Sequence, residues 1–223
     1  MSTGERLAVL GANGKMGRAV IRLAHGMGMQ LVAAIGAGDD VGKDAGDLAG
    51  VGSLGVKVSS DLASLKASGA QVLVDFSTPA VVTSAIEVCA SAGIAIASGT
   101  TGLGEAENKA LDAAAAKVAV LWEPNMSVGV YVLSQLIAQA VKALPDFDIE
   151  IVEAHHRLKV DAPSGTALRL AEVAKKARDA SSTFVTGRDG KPGARKRDEI
   201  GVLAMRGGDV SGARLVHLLG DGE

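Results

Sequence analysis

The first half of the chain alternates short apolar runs with helical patterns, and this alternation restricts the possible folds more than any other feature. One run is followed by Ser77-Thr78-Pro79, where proline suits the first position of a helix. Repeated strand–helix–strand order implies a parallel sheet covered by helices on both faces. The sequence therefore predicts a doubly wound α/β fold, with strands at Leu7–Leu10, Leu31–Ile35, Val72–Phe76, Ile94–Ala97 and Val118–Trp122 and an alanine-rich helix at Glu105–Lys117.

After Asn125 the pattern changes. Phe147, Ile149 and Ile151 alternate with acidic residues, as in a strand with one solvated face. The basic segment 188–197 is expected to be a solvated face, and the alternative is that it helps to steer or cover an anionic ligand. We expect an α+β domain on an open mixed sheet and domain bounds of 1–127 and 128–223. Its other predicted elements are a long apolar helix at Val128–Leu144, a helix over about 167–180, and strands at Thr183–Thr186, Ile200–Ala204 and Val210–Leu219.

Composition narrows the classes of function. The formal net charge of −2 at pH 7 argues against a nucleic-acid partner. The one cysteine, Cys89, cannot form an internal disulfide, which fits a reducing compartment. No apolar run reaches the ~18 residues of a membrane helix, the first residues are polar, and no spacing of His, Cys, Asp and Glu suggests a metal site. We therefore expect a cytoplasmic protein with no membrane partner.

Three glycines, Gly11, Gly14 and Gly17, lie between the first predicted strand and the first predicted helix. In a dinucleotide-binding turn the first permits the tight turn, the second lets the backbone approach a pyrophosphate, and the third allows close helix–strand packing. The spacing is G-x-x-G-x-x-G rather than G-x-G-x-x-G. Directly after a strand, it predicts a Rossmann-like fold that binds NADH or NADPH. The helix that follows has a predicted apolar face of Met16, Ala19, Val20 and Leu23.

The second predicted strand ends without the acidic residue that usually binds the adenosine ribose. Gly36-Ala37 stands there, so neither a carboxylate nor an adjacent arginine is present. Asp39 and Asp40 lie slightly downstream and can substitute, while Lys15 and Lys43 are candidate phosphate partners. The simpler interpretation is that both aspartates and Lys43 are ordinary polar loop residues. The sequence leaves the choice between NADH and NADPH open.

Two further loops follow predicted strands, at the edge where open α/β sheets bind ligands. Residues 98–102, Ser-Gly-Thr-Thr-Gly, offer two threonine hydroxyls and flexible backbone near the nicotinamide end. Residues 123–127, Glu-Pro-Asn-Met-Ser, offer backbone groups and an amide. Taken in isolation, such loops are more often plain turns.

The densest set of hydrogen-bond donors follows the first strand of the second domain. His155, His156, Arg157 and Lys159 can all donate, and the lysine and arginine accept no hydrogen bond. Ser164-Gly165-Thr166 then opens a helix whose free N–H groups and positive end suit a carboxylate. A solvated basic loop is the plainer interpretation. The adjoining helix start favours instead a site for an anionic substrate that must also receive a proton.

Together these stretches resemble the family of 4-hydroxy-tetrahydrodipicolinate reductases (dihydrodipicolinate reductases) of bacterial and plant lysine biosynthesis. The similarity runs through nearly the whole chain in the family's order, and the stretch from residue 153 to residue 168 is its most specific part. The matching pieces are Gly11–Gly17, Asp75–Ser77, Gly99–Gly102, Pro124–Val130, Glu153–Leu168, Glu199–Gly201 and Arg206–Asp209.

The resemblance implies NAD(P)H-dependent reduction of 4-hydroxy-tetrahydrodipicolinate, a small cyclic imine with two carboxylates. It implies that His155 donates and accepts protons and that Lys159 is the proton donor. The substrate carboxylates would be bound by His156, Gly165 and Thr166. The implied NAD(P)H-binding residues, with Gly36 at the ribose, are Gly11, Ala12, Asn13, Gly14, Lys15, Met16, Gly36, Gly99, Thr100, Thr101, Glu123, Pro124, Asn125 and Met126.

The resemblance also implies a two-domain subunit with hinge closure and a homotetramer joined through the second-domain sheets. This chain departs from the family's pattern at Gly36-Ala37, which replaces an acidic-plus-arginine pair, and at Glu123, where a small residue is usual. The family also continues past the position of Glu223 with a strand and a helix that return to the first domain.

Two alternatives stay open at this point. One is a protein of the same fold that binds NAD(P) without turnover, because the cofactor loops are altered and the return segment is absent. The other is a related Rossmann reductase for a different amino-acid precursor, such as an aspartate or homoserine dehydrogenase. The stretch 153–168 argues against this second alternative.

Overall fold

The chain, seen in a computed structural model that describes residues 4–179 and 181–222, forms two compact units, Met1–Pro124 and Asn125–Glu223. The predicted polar start at residues 1–3 and the predicted helix end at Ala180 lie outside the described residues. Within the described residues, no helix is long and apolar enough to cross a membrane.

The first unit is built on a six-stranded, entirely parallel sheet. Its strands are β1 (Arg6–Leu10), β2 (Gln30–Ile35), β3 (Val58–Ser59), β4 (Val72–Asp75), β5 (Ala95–Ser98) and β6 (Val120–Trp122). The order β3-β2-β1-β4-β5-β6 is that of a doubly wound dinucleotide-binding sheet, with the switch point between β1 and β4. The predicted doubly wound parallel sheet is confirmed.

Helices cover both faces of this sheet, because successive strand residues point to opposite sides. They are α1 (Lys15–Gly26), α2 (Ala45–Ala49), α3 (Pro79–Ala92) and α4 (Glu105–Ala115). Leu7 and Val9 of β1 pack in one cluster with residues of α1 and α2, whereas Ala8 and Leu10 pack in another with residues of α3 and α4. As predicted, Pro79 is the first residue of α3.

The face of α1 that packs on the sheet differs from the predicted one. Ile21 and Ala24 are buried, whereas Met16 and Leu23 are exposed. Gly17 explains the difference, because it is the helix residue closest to the turn and a Cβ there would overlap the carbonyl oxygen of Gly11. Glycine does not count as apolar in a hydrophobic pattern. The pattern therefore assigns the wrong face of α1 to the sheet.

The pattern predicts neither β3 nor α2, because elements of 2 and 5 residues are too short to show a period. The start of α2 is fixed by a polar residue instead. Asp44 accepts hydrogen bonds from the N–H groups of Leu54 and Gly46 at 3.0 and 2.8 Å. These bonds, led by that from Leu54, lower the pKa of Asp44 to about 2.

The second unit combines two helices with a four-stranded mixed sheet. Its elements are α5 (Val128–Ala143), β7 (Asp148–His155), α6 (Gly165–Arg178), β8 (Thr183–Val185), β9 (Glu199–Arg206) and β10 (Ala213–Leu219). The strand order is β10-β7-β9-β8, with β10 antiparallel to β7 and the other pairs parallel. Ile149 and Ile151 of β7 pack with Ile137 of α5 and Leu170 of α6. The predicted mixed sheet is confirmed.

Strand β7 takes in residues that the sequence analysis assigned to a loop. Its alternation continues from Ile149 and Ile151 to Glu153 and His155, and all four are buried on one face. The prediction stopped at Ile151 because a carboxylate and an imidazole break the apolar pattern. Their burial requires hydrogen-bond partners inside the protein.

The segment 188–197 is exposed apart from the partly buried Arg195, as predicted for a solvated basic segment, but two of its arginines bind the sheet. Arg188 binds Glu150 at 2.9 and 3.1 Å, and Arg195 binds Asp148 at 2.6 Å and Glu150 at 3.0 Å. Burial by itself would raise the pKa of Glu150, but the hydrogen bonds from both arginines outweigh it and lower that pKa. Because Glu150 alternates with the buried isoleucines, the segment is tied to the sheet face opposite α5 and α6.

Candidate active site

The glycine turn between β1 and α1 has the shape of a pyrophosphate cradle. Gly11 has a φ of 75°, which L side chains rarely adopt, and the N–H of Ala12 donates to the carbonyl of Ile35 at 2.9 Å. Only glycine at position 17 lets α1 begin so close to the turn. Gly14, the cap of α1, has no side chain to occupy the first N–H groups of the helix, and no acidic residue lies in the first turn. Those N–H groups therefore fit an anionic cofactor such as NAD(P)H.

A buried carboxylate, Asp75, connects the carboxyl ends of two neighbouring strands, β4 and β5. Its Oδ1 accepts from the N–H and the hydroxyl of Ser77 at 2.9 and 2.5 Å. Its Oδ2 accepts from the hydroxyls of Ser98 and Thr100 at 2.6 and 2.8 Å. The network therefore fixes the loop after β5 against the loop after β4.

Thr100 serves this network rather than offering its hydroxyl to a ligand. The residue is buried, and its carbonyl accepts the indole N–H of Trp122 at 3.0 Å. Phe76 closes the other side, where a Cβ on Gly99 would lie 2.8 Å from the ring carbon Cδ1. Of the two threonine hydroxyls expected to be on offer in this loop, that of Thr100 is already used, whereas Thr101 is exposed. Cofactor contacts by Gly99 and Thr100 stay a prediction. Backbone atoms would make these contacts, because the Thr100 hydroxyl is already hydrogen-bonded.

Replacing Asp75 by asparagine should weaken NAD(P)H binding and lower stability, because an amide nitrogen cannot accept the hydroxyl hydrogen bonds. Losing a buried acceptor costs about 1–3 kcal/mol in the free energy of unfolding. We expect NAD(P)H binding to weaken by about tenfold as the loop loosens. Urea unfolding and cofactor fluorescence titration measure the two effects. Thr100→Ser keeps the hydroxyl and is the matched control. A destabilised Asp75→Asn protein with unchanged NAD(P)H affinity would contradict a positioning role.

The loop after β6, residues 123–126, contacts two different sets of residues. The N–H of Glu123 donates to the carbonyl of Ser98 at 3.0 Å and so continues the pairing of β6 with β5. The side-chain N–H of Asn125 donates to Oγ1 of Thr166 at 2.9 Å. The structure thus places Asn125 with a residue expected to bind substrate. Cofactor binding by this loop stays a prediction.

The second unit holds a buried carboxylate at the centre of its donor cluster. Glu153 is 0% exposed, and the two terminal nitrogens of Arg206 reach its oxygens at 3.0 and 2.9 Å. The N–H of Ser164 donates to it at 3.0 Å, and Nδ1 of His155 also binds it. Burial by itself would raise the pKa of Glu153, but the hydrogen bonds from Arg206, His155 and Ser164 outweigh it and lower that pKa. An ionised carboxylate thus joins β7, the end of β9 and the start of α6.

His155 has both ring nitrogens engaged. Glu153 accepts from Nδ1, and a terminal nitrogen of Arg214 lies 2.9 Å from Nε2. Because a guanidinium can only donate, Nε2 accepts and the ring carries its proton on Nδ1. Glu153 and Arg214 thus fix the orientation of the His155 ring from both sides.

Lys159 and His156 lie on the turn after β7. Lys159 Nζ pairs with Oδ1 of Asp161 at 2.6 Å, and the lysine side chain is 21% exposed. The hydrogen bond from Lys159 lowers the pKa of Asp161. Nδ1 of His156 is buried and has no hydrogen-bond partner among the residues that the structure describes. An orphaned buried nitrogen of this kind is a group that a ligand can satisfy.

The start of α6 completes the cluster. The hydroxyl of Ser164 caps the helix by accepting from the N–H of Ala167 at 3.3 Å, and the N–H of Ser164 itself is held by Glu153. Gly165 and Thr166 form the first turn, where helix N–H groups lack partners within the helix. A carboxylate is the natural ligand for such a helix end.

The sequence analysis missed Glu153, Arg206 and Arg214 as site residues. A signal for Glu153 exists, since the period of two that begins at Ile149 places its carboxylate on the buried face. No periodicity points to the arginines, although Arg206 lies in a stretch that resembles the family. The strand register brings the arginines to the site, because it pairs His155 with Arg206 and Glu153 with Arg214.

These two units define a class of protein. A Rossmann-like sheet with a glycine cradle, followed by a mixed sheet with a donor-rich cluster, is the arrangement of an NAD(P)-dependent oxidoreductase that has a separate substrate unit.

Comparison with known proteins identifies the family. The dihydrodipicolinate reductase N-terminus model matches residues 5–126, and the C-terminus model matches residues 129–223. The chain belongs to the dihydrodipicolinate reductase family, as the sequence analysis predicted.

Individual relatives agree with this assignment. A 4-hydroxy-tetrahydrodipicolinate reductase of Acinetobacter baumannii is 43% identical, over 100% of this chain and 83% of that protein. One of Alkalilimnicola ehrlichii is 46% identical, over 98% of this chain and 84% of that protein. The solved structure of a dipicolinate-bound dihydrodipicolinate reductase from Paenisporosarcina sp. TG-14 is 25% identical, with a TM-score of 0.75 over 99% of this chain and 85% of that one.

Proposed function

We propose that the protein reduces 4-hydroxy-tetrahydrodipicolinate to tetrahydrodipicolinate with NADH or NADPH, in the diaminopimelate route to lysine. The observation that carries the proposal is the cluster around Glu153. Glu153 binds both His155 and the N–H of Ser164 at the start of α6, and His156, with its buried Nδ1, directly follows His155. Such a cluster offers several donors to an anion, and this substrate has two carboxylates. Curated relatives with 43% and 46% identity bear the name of this activity.

When bound, NAD(P)H supplies the hydride. The overall reaction adds one hydride and one proton to the substrate and releases its 4-hydroxyl group as water. The protein must therefore hold a dianion, deliver a proton and keep the cofactor in place. The glycine turn and the loop fixed by Asp75 are the parts of this chain that fit the cofactor.

Lys159 is the proton donor in this proposal. Its ammonium donates and accepts nothing, and Asp161 orients it at 2.6 Å. Negative charge develops on the carbon–nitrogen system as the hydride arrives, and a positioned acid offsets that charge. His155, held by Glu153, takes up or passes on a proton within the same cluster in this proposal.

Substrate carboxylates are bound by His156, Gly165 and Thr166 in this proposal. The buried Nδ1 of His156 gains the partner that it lacks among the described residues. The first turn of α6 supplies backbone N–H groups, and the cap at Ser164 keeps that turn in place.

The direct test is the loss of NADH or NADPH absorbance with freshly generated substrate, run with the two cofactors side by side. We expect oxidation that depends on substrate. Quenching of cofactor fluorescence on binding, without any substrate-dependent oxidation, would instead identify the protein as an NAD(P)-binding protein without turnover.

We also propose that the protein works in the cytoplasm as a homotetramer joined through the second-unit sheets. Cys89 is a free, buried thiol, which suits a reducing compartment. The sheet face opposite α5 and α6 carries exposed apolar side chains, among them Met205 (57%) and Leu215 (54%). Exposed apolar patches of this kind mark association surfaces.

Replacing Leu215 by glutamate should lower the solution mass of the assembly, because a charge in an apolar interface must be desolvated. Light scattering coupled to size exclusion measures the mass. Leu23→Glu, which places the same charge at an exposed leucine of α1 in the first unit, is the control and should leave the mass unchanged. A tetramer that survives Leu215→Glu would rule out this face as the interface.

A further inference from the structure

The end of β2 carries no side chain that could bind the adenosine ribose, because glycine stands at position 36. A Cβ at Gly36 would overlap the side-chain oxygen of Asn13 and lie 2.8 Å from Cγ1 of Val58. Asn13 is itself fixed there, because its amide nitrogen donates to the carbonyl of Ala37 at 2.7 Å. A larger residue at position 36 would therefore require the side chains of Asn13 and Val58 to shift. The ribose of a bound dinucleotide needs a different reader.

A charged trio lies directly beside this point. Asp40 accepts from Arg18 at 2.9 Å through one oxygen and from Lys43 at 2.8 Å through the other. Arg18 also donates through Nε to the carbonyl of Asn13 at 2.9 Å, which ties the trio to the glycine turn. The Asp40 side chain is 21% exposed, so it remains open to a ligand.

We infer that Asp40 sets the choice between NADH and NADPH, by reading the adenosine ribose itself and by holding Arg18 and Lys43 away from a 2′-phosphate. The inference rests on the proposed function, because it requires that the first unit binds a dinucleotide. Gly36 has no side chain that could distinguish NADH from NADPH.

A ribose 2′-phosphate would compete with Asp40 for the same two cations. A carboxylate has about four lone-pair sites, so Asp40 can keep both cations and still accept a ribose hydroxyl. A 2′-phosphate would have to displace Asp40 from Arg18 and Lys43 while lying beside its negative charge. The hydrogen bond from Lys43 holds the pKa of Asp40 below its ordinary value, so the carboxyl group stays ionised at neutral pH. Asp40 thus favours the unphosphorylated ribose.

The test uses two probes that differ only in the 2′-phosphate, adenosine 5′-monophosphate and adenosine 2′,5′-bisphosphate. Calorimetric titration of each into the full chain gives the ratio of the two dissociation constants without any turnover. For Asp40→Asn we expect that ratio to shift by about tenfold toward the bisphosphate. NADH and NADPH fluorescence titrations should shift in the same direction.

Matched variants separate this effect from a loss of surface charge. Asp39→Asn removes the same charge one residue away and should move the ratio by less than about twofold, because within the described residues Arg18 and Lys43 pair with Asp40 and not with Asp39. Adding Lys43→Gln to Asp40→Asn should reverse most of the gain, since one of the freed cations is then missing. Thermal melts check that each variant is folded.

The outcomes that overturn the inference are distinct from those that overturn the proposed function. If both probes bind but Asp40→Asn leaves their ratio unchanged, Asp40 is not the reader and the proposed reductase is untouched. If Asp39→Asn shifts the ratio as much as Asp40→Asn, only general charge is at work and the inference fails. If neither the probes nor NAD(P)H bind the unmodified chain, the proposed function and this inference both fail.

Discussion

Lys159→Ala should lower kcat by about 10²- to 10⁴-fold, the usual contribution of a positioned general acid, while NAD(P)H affinity stays close to that of the parent. The ammonium of Lys159 is held at 2.6 Å by Asp161 and is partly shielded from water, as a proton donor requires. Alanine removes the proton and leaves the first unit untouched. Steady-state oxidation of NAD(P)H measures kcat and KM, and fluorescence titration measures cofactor affinity.

Lys159→Arg is the informative companion to this variant. Arginine keeps the positive charge near the substrate but does not give up a proton at neutral pH. We expect its KM for substrate to stay nearer to that of the parent than the KM of Lys159→Ala, with kcat low in both. A folded Lys159→Ala protein that binds NAD(P)H and turns over as fast as the parent would remove Lys159 from the mechanism.

The sequence was sufficient for the glycine turn and insufficient for contacts that join separate strands. Gly11, Gly14 and Gly17 follow a strand and precede a helix, and that local context predicts the cradle that the structure contains. The contribution of Asp75 could not be predicted in this way. Its partners Ser98 and Thr100 come from a different strand, and only the pairing of β4 with β5 brings them together.

The same limit explains the errors in the second unit. Apolar periodicity recognises Ile149 and Ile151 but stops at Glu153, because a charged residue appears incompatible with a core until its partner is known. That partner, Arg206, is 53 residues away in sequence and lies on a parallel neighbouring strand. Residues separated in this way meet through register, which no local pattern encodes. The sequence prediction therefore missed the buried charge of Glu153, which lies at the centre of the proposed substrate site.

Glu153→Ala tests that buried charge and should lower the free energy of unfolding by about 3–5 kcal/mol, the usual cost of leaving a buried charge without its partner. The change strands the guanidinium of Arg206, the Nδ1–H of His155 and the N–H of Ser164 together. It should also abolish turnover, because His155 and the start of α6 both lose their anchor. Urea or thermal unfolding measures the first effect, and NAD(P)H oxidation measures the second.

Glu150→Ala is the matched control, because it removes the same residue type from the same strand and also has two arginine partners. Glu150 lies on the opposite face of the sheet, and its side chain is 14% exposed against 0% for Glu153, so we expect a smaller loss of stability and continued turnover. Equal destabilisation by the two changes would show that burial on the α6 face gives Glu153 no special role.

Glu153→Gln adds a pH dependence that separates charge from shape. The pKa of Glu153 is lowered in the folded state, so its carboxylate stabilises the fold fully above the ordinary glutamate pKa of about 4.3, and this contribution is lost as the pH falls through the lower folded-state pKa. Glutamine has the same shape and does not titrate. The stability difference between the parent and Glu153→Gln should therefore be constant near neutral pH and shrink on acidification. A difference that stays the same in acid would mean that hydrogen-bond geometry, and not the charge paired with Arg206, holds this cluster together.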